Sequence, residues 1–297
     1  LDHREEAILG CIVGGALGDA FGEAYEGLQD AAEPNAERPW RLTDDTQLTL
    51  ATCEAIVAAG KVDPATIGAV FADKWRRRLI TGAGASITKA LTELAAGGHW
   101  ALVGRRGDMA AGNGAAMRVA PLAFLLDPTL PDDRTVLRDV CRITHHSDEA
   151  YCGALAVLWA NRLAYRREWP GKSADLVGTV ADHLPDCGVR DRLRAFAIDS
   201  PTIAAAAAKY GAGGHVVQSV PLAILAAQSI HALGFVATLK KLIEVGGDTD
   251  TNASIAGQIA GAYLGYASLP QEWIDRLPDH HLLVDGVRQF ASVAITS

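Results

Sequence analysis

Asp248, Asp250 and Thr251 place three hard oxygen donors within four residues, in the stretch Gly246-Gly247-Asp248-Thr249-Asp250-Thr251-Asn252. Thr43-Asp44-Asp45-Thr46 repeats the pattern much earlier in the chain. Together the two stretches offer four carboxylates and several hydroxyls, with no His or Cys among them. An oxygen-only set suits Mg²⁺, Mn²⁺ or Ca²⁺ rather than Zn²⁺, because hard cations prefer hard donors. The competing reading is helix capping, since Asp and Thr are favoured N-caps and a helix N-terminus stabilises carboxylates. One cap needs one side chain, whereas each stretch supplies at least three oxygen-bearing ones. A hard-cation site is therefore the expectation.

The elements that must position these donors read as helices, and strand alternation is nearly absent. Ala253 to Leu269 carries no Asp, Glu, Lys or Arg, and Gly257, Gly261 and Gly265 recur on one helical face. Gly10, Gly14 and Gly18 repeat that spacing in a first helix from Arg4 to Ala20, so the two glycine faces are expected to pack together. Glu26 follows in a polar loop, and a helix from Gln47 to Ala59 begins at the Thr43–Thr46 cluster. Further helices are expected at Ala65–Leu79 and Ser86–Ala96, separated by Thr81-Gly82-Ala83-Gly84-Ala85. A loop from Gly104 to Gly114 precedes a helix from Ala115 to Leu126. Its glycines either present backbone N–H groups to a phosphate or simply make a turn. Helices at Asp133–Thr144 and Asp148–Arg167 meet at Thr144-His145-His146-Ser147. Adjacent histidines lack the i,i+4 spacing of a helical metal pair, so His145 either bonds a substrate oxygen or is structural. After Pro270 a closing helix pair is expected.

Composition bounds the rest. The 297 residues are 49% hydrophobic but only 6% aromatic, which suits closely packed helices with an Ala/Leu/Ile/Val core. A net charge of −8 argues against nucleic acid as the main partner. Cys11, Cys53, Cys141, Cys152 and Cys187 form no C-x-x-C pair and read as reduced thiols of a cytoplasmic protein. Charges at Asp2, Arg4, Glu5 and Glu6 argue against a secretory signal. Tyr210 to Leu239 is free of Asp, Glu, Lys and Arg, yet Gly213, Gly214, Pro221 and Gly234 break it, so a buried helix pair is expected rather than a membrane span. Trp169 to Asp191, with Pro170, Gly171, Pro185 and Gly188, is the nearest thing to a linker. No boundary is placed there, because the proposed site needs both sides; residues 1–297 read as one domain.

In chain order, Gly18-Asp19-Ala20-Phe21-Gly22 with Glu26, Thr43-Asp44-Asp45-Thr46, Gly112-Asn113-Gly114-Ala115-Ala116-Met117-Arg118, Thr144-His145 and Gly247-Asp248-Thr249-Asp250-Thr251 resemble the motifs of the ADP-ribosylglycohydrolases. The resemblance implies an all-α, compact, single-domain orthogonal helical bundle with a dinuclear metal centre, two Mg²⁺ or Mn²⁺, in a cleft. It implies Thr43, Asp44 and Asp45 as one ligand group and Asp248, Asp250 and Thr251 as the other. Glu26 matches a catalytic acidic residue on a loop, acting with Asp44 and Asp45. Gly112, Asn113, Gly114, Met117 and His145 match positions that hold the diphosphate and ribose, and Gly84 matches another edge of that pocket. The implied reaction is hydrolysis of the bond joining ADP-ribose to an acceptor, by water attack at the ribose anomeric carbon, in a monomer acting on ADP-ribosylated proteins or related conjugates.

Three readings compete with this one. A relative that keeps the fold and binds ADP-ribose without turnover would have less reason to retain both donor clusters. A prenyl-transfer type of Mg²⁺-diphosphate enzyme would carry D-D-x-x-D, but Asp44-Asp45-Thr46-Gln47-Leu48 ends in leucine. A helical metal phosphohydrolase would need an adjacent His-Asp pair, and no such dipeptide occurs.

Overall fold

Side-chain oxygens open many of the helices, each satisfying an N–H that the first turn leaves without a partner. Asp2 accepts the Glu5 N–H to start α1 (His3–Gly22), Thr43 accepts the Asp45 N–H to start α2 (Asp44–Ala59), and Asp63 starts α3 (Pro64–Arg76) with proline in its first turn. Helix α4 (Ala85–Ala95) follows Gly84 without a side-chain cap, and α5 (Pro131–Arg142) again opens on proline. Ser147, Asp175 and Thr202 cap α6 (Asp148–Tyr165), α7 (Leu176–Asp182) and α9 (Ile203–Tyr210), with α8 (Gly188–Asp199) between the last two. The chain continues through α10 (Val216–Gln228), α11 (Ile230–Leu233), α12 (Phe235–Glu244) and α13 (Thr249–Leu264) to α14 (Gln271–Ile274) and α15 (His280–Thr296). These elements are those of a computed structural model that describes residues 2–28, 34, 35, 37–169 and 175–296.

The fold is all-α and is built around α1 and α13. Every residue of α1 from Ala7 to Gly22 is buried, as is every residue of α13 from Thr249 to Ala262 and of α6 from Ala150 to Ala164. Helices buried all round belong at the centre of a domain. Helices α6, α10 and α12 pack against α13, α15 lies across α1 and α2, and α3 and α4 extend outward from α2. Their apolar side chains join one core cluster.

The antiparallel α1–α13 contact is backbone against backbone. Gly10 faces Gly261, Gly14 faces Gly257, Gly18 faces Ala253 and Gly22 faces Thr249. A Cβ built at any of these four α1 glycines would overlap a carbonyl oxygen of α13. The expected pairing of glycine faces is what the structure contains. Gly265 still lies against Gly10 and Glu6 of α1 and ends α13 at φ 83°.

Elsewhere the structure departs from expectation for identifiable reasons. Ala115–Leu126 is not an α-helix but two 3₁₀ segments, Asn113–Arg118 and Ala120–Phe124. Pro121 lacks an N–H and disfavours helical geometry in the residue before it, which interrupts a regular helix there. The expected helix pair over Tyr210–Leu239 is instead α10, α11 and the start of α12, with Gly234 at φ 79° separating the last two. Among the described residues one short parallel pairing occurs: β1 (Arg105–Arg106) lies beside β2 (His145–His146), Arg105 opposite His145. Two residues a side are too few to register as sequence alternation. Most of the described residues of the linker-like region fold as α7 and the start of α8; Pro170 and Gly171 lie outside the described residues. Among the described residues, His3–Tyr25 is long and apolar enough to cross a membrane, and 89% of its most apolar window is buried inside the fold.

The glycine contact yields a stability prediction. Gly261→Ala should destabilise by about 1–3 kcal/mol or more, because its methyl would overlap the backbone of Gly10, which cannot rotate away. Gly286→Ala in α15, where a Cβ meets nothing within 4 Å, should be neutral or stabilising by up to about 1 kcal/mol. Urea unfolding of both variants separates the effects; equal stabilities would contradict the packing described.

Candidate metal centre

Because α1 and α13 run antiparallel in close contact, the end of α1 meets the start of α13, and the start of α2 is fastened beside them. Asp19, fully buried on α1, does the fastening. Its Oδ1 accepts the Thr43 hydroxyl at 2.8 Å, and its Oδ2 accepts the Thr43 N–H at 3.1 Å, the Thr46 N–H at 3.2 Å and the Thr46 hydroxyl at 2.5 Å. The Thr43 hydroxyl also accepts the Asp45 N–H as the cap of α2. Thr43 is thus committed to holding the helix start, and Asp44 and Asp45 have no capping duty. At α13 Asp248 occupies the cap position but makes no cap hydrogen bond. Its Oδ2 accepts the Asn113 amide at 2.9 Å. Capping therefore does not explain these carboxylates.

The two distant stretches do converge. The Thr251 hydroxyl donates to Asp45 Oδ2 at 3.0 Å, while Asp45 Oδ1 is buried with no hydrogen-bond partner among the described residues. Carboxylate oxygens of Asp19, Asp45 and Asp250 lie within 4.8 Å of one another, as do those of Glu26, Asp248 and Asp250. Asp250 belongs to both groups. Two consecutive left-handed glycines, Gly246 at φ 70° and Gly247 at φ 83°, turn the chain from α12 into α13. The Gly27 N–H donates to the Gly247 carbonyl at 3.4 Å, which draws Glu26 to the same turn.

Gathering carboxylates in the interior raises their proton affinity. Burial pushes Asp44 up to about 7, with Asp19 adding repulsion, and burial alone pushes Asp19 up to about 6 against its four donors. Asp45 and Asp250 are also raised, first by burial and then by the charge of Asp250 and Asp248 respectively. Burial raises Glu26 as well, with Asp248 and Glu23 contributing. An unpartnered buried oxygen, a shared central aspartate and an all-oxygen donor set fit divalent hard cations, whose charge would offset this repulsion.

These groups form one side of a cavity of about 220 Å³. Glu26, Asp44, Asp45, Asp248, Asp250 and Thr251 line it, and so do Gly84, Gly112, Asn113, Gly114, Met117 and His145. Of the residues singled out in the sequence, only Thr43 is not part of the lining. A larger, more apolar groove of about 790 Å³ between α2 and α15 holds no such cluster.

The glycine-rich wall works differently from a flexible phosphate loop. Gly112 has an ordinary extended backbone, φ −79° and ψ 163°, so conformational freedom is not why it is glycine. A Cβ there would lie 3.1 Å from His145 Nε2, and one at Gly114 would lie 2.9 Å from His145 Cε1. Both glycines make room for the imidazole. The Asn113 N–H donates to the Gly214 carbonyl at 3.0 Å, and its amide also donates to Ser219 Oγ at 2.9 Å. Asn113 thus braces Asp248 against α10.

Sequence reasoning assigned no role to Asp19, Gly82, Ser86, Ile87 or Gly214, which the structure places at or beneath the cavity. Asp19 had a signal: it is the one charged residue between Ala7 and Gly22. The others carry none, since their positions depend on how the start of α4 and the loops at Gly82 and Gly214 meet the rest of the cavity.

A pH dependence follows for the metal-free protein. The Asp44 carboxyl is raised from 3.8 to about 7 in the fold, so between these values the native state binds the extra proton. Stability from this group is complete at low pH and is lost as pH rises through about 7. In chelator, Asp44→Asn should therefore gain Tm relative to wild type across that window. Added Mg²⁺ or Mn²⁺ should raise the wild-type Tm with concentration and leave Asp250→Asn unmoved. Thermal melts check both; a wild-type Tm indifferent to either ion would count against a metal centre.

Comparisons with known proteins place the chain in a family. The family described as ADP-ribosylglycohydrolase matches residues 1–296. An uncharacterised protein of Archaeoglobus fulgidus is 30% identical, the match covering 94% of this chain and 94% of that protein. The human ADP-ribosylhydrolase ARH3 is 27% identical over 89% of this chain and 87% of its own length. A solved structure titled as an ADP-ribosylglycohydrolase-related protein complex superposes with a TM-score of 0.77 at 25% identity, covering 99% of this chain and 100% of that one. On the match along nearly its whole length, this chain belongs to the ADP-ribosylglycohydrolase family.

Proposed function

We propose that this protein is a metal-dependent hydrolase that cleaves the glycosidic bond between ADP-ribose and an acceptor, such as a protein side chain. The observation that carries the reading is the convergence of Asp44 and Asp45 with Asp248 and Asp250 on one cavity, opposite the Gly112–Gly114 wall and His145. The names of its ADP-ribosylhydrolase relatives support the same substrate class.

Asp44, Asp45, Asp248, Asp250 and Thr251 would hold two Mg²⁺ or Mn²⁺ ions, with Asp19 and Thr43 fixing the start of α2 beneath them. When bound, such ions supply Lewis acidity, a grip on vicinal ribose hydroxyls and a more acidic water. The chain's own groups do the rest. Cleavage at the anomeric carbon develops positive charge on the ribose, and the surrounding carboxylates favour it. Glu26, its proton affinity raised by burial and by Asp248, is suited to take the proton from the attacking water. His145 and the Gly112–Gly114 wall bound the side of the cavity where the diphosphate and proximal ribose would rest. The five free cysteines support a reducing, cytoplasmic setting.

Release of ADP-ribose from a panel of defined linkages, arginine and serine among them, tests the reading. At least one linkage should be hydrolysed with Mg²⁺ or Mn²⁺ and none with chelator. No turnover of any linkage, or full activity in rigorously metal-free protein, would refute it. Glu26→Gln should keep most of the ADP-ribose affinity while lowering kcat by ~10²-fold or more, the scale of a lost general base. An unchanged kcat would remove Glu26 from the mechanism.

A further inference from the structure

Arg118 is a fully buried cation at the end of the 3₁₀ segment Asn113–Arg118. Its guanidinium donates to the Gly114 carbonyl at 2.7 Å, the Val140 carbonyl at 3.1 Å and the Thr144 hydroxyl at 2.9 Å. Thr144 is itself fully buried, and its only other side-chain partner among the described residues is His145 Nδ1 at 2.8 Å.

These contacts decide where the imidazole proton resides. Arginine can only donate, so the Thr144 oxygen must accept from Arg118 and keeps its own proton to give. The one acceptor within reach is His145 Nδ1. Were Nδ1 protonated instead, both neighbours would donate to the same oxygen and the hydroxyl proton would be stranded in the interior. The ring proton therefore belongs on Nε2. That nitrogen has no hydrogen-bond partner among the described residues and faces Gly112, on the cavity wall.

Resting on the function proposed above, we propose that Arg118 and Thr144 are positioning residues that lock His145 as a neutral Nε2–H donor, aimed at an acceptor oxygen of the ADP-ribosyl group. The ring also stays uncharged: burial, and after it the Arg118 charge, push its pKa down to about 3. The same guanidinium ties the Gly114 carbonyl to the end of α5, so donor and glycine wall are held in register from below. A donor of fixed direction discriminates among ligands, because a ligand presenting N–H or O–H there would meet a second donor.

The test is a long-range ¹H–¹⁵N spectrum of the histidine rings in metal-loaded, full-length protein, with ADP-ribose titrated by calorimetry. Wild type should show His145 protonated at Nε2 and bare at Nδ1. Thr144→Val, which cannot donate to Nδ1, should lose the single tautomer and bind ADP-ribose about tenfold more weakly, about 1.4 kcal/mol. Thr144→Ser, which keeps the hydroxyl, should restore both. A wild-type ring protonated at Nδ1 overturns the relay, even if Thr144→Val does not fold. Unaltered tautomer and affinity in folded Thr144→Val also overturns it. Wild type that shows the Nε2–H ring but ignores ADP-ribose instead defeats the substrate reading and leaves the tautomer lock in place.

Discussion

The backbone-to-backbone contact of α1 with α13 is the constraint on which the rest of the molecule depends. With Cβ atoms at Gly10, Gly14, Gly18 and Gly22 the two helices would have to separate. Asp19 would then move away from Asp250, and the start of α2, hung from Asp19 by four hydrogen bonds, would move with it. The Asp19, Asp44, Asp45 and Asp250 side of the site is thus set by helix packing. That is the arrangement expected where donors must be held to within a fraction of an ångström.

Such packing gathers negative charge where water cannot screen it. Asp19 spends both oxygens on Thr43 and Thr46, which stabilises its charge and makes it scaffold. Asp45 and Asp250 lack that degree of compensation, and one oxygen of Asp45 has no partner among the described residues. Buried carboxylates in this state either take up protons or take up cations. Strain of this kind is tolerated only because the surrounding core is rigid and extensive.

The opposite wall is held by neutral and cationic groups. Asn113 links Asp248 to Ser219 on α10, and Arg118 links Gly114 to Val140 and Thr144. Each wall of the cavity is therefore fastened to a different set of core helices. Asn113 crosses between the two walls, so a shift of the glycine wall would be felt at Asp248.

The sequence by itself determined the helical class, through the 3.6-residue period and the glycine spacing. It also identified the two oxygen clusters, because carboxylates beside apolar helices are conspicuous in one dimension. Family resemblance picked out Glu26, Asn113 and His145, which look ordinary as isolated residues. Only the tertiary structure decided what each group does with its hydrogen bonds. Thr43 became a cap tied to Asp19, Asp248 sits at the cap position but turns its side chain to Asn113, and Gly112 proved to be glycine for the sake of the His145 ring rather than for its own backbone. The physical reason is common to all of these. Periodicity and capping preference act over a few residues, whereas a hydrogen-bond partner or a missing Cβ is specified by atoms brought together from distant parts of the chain.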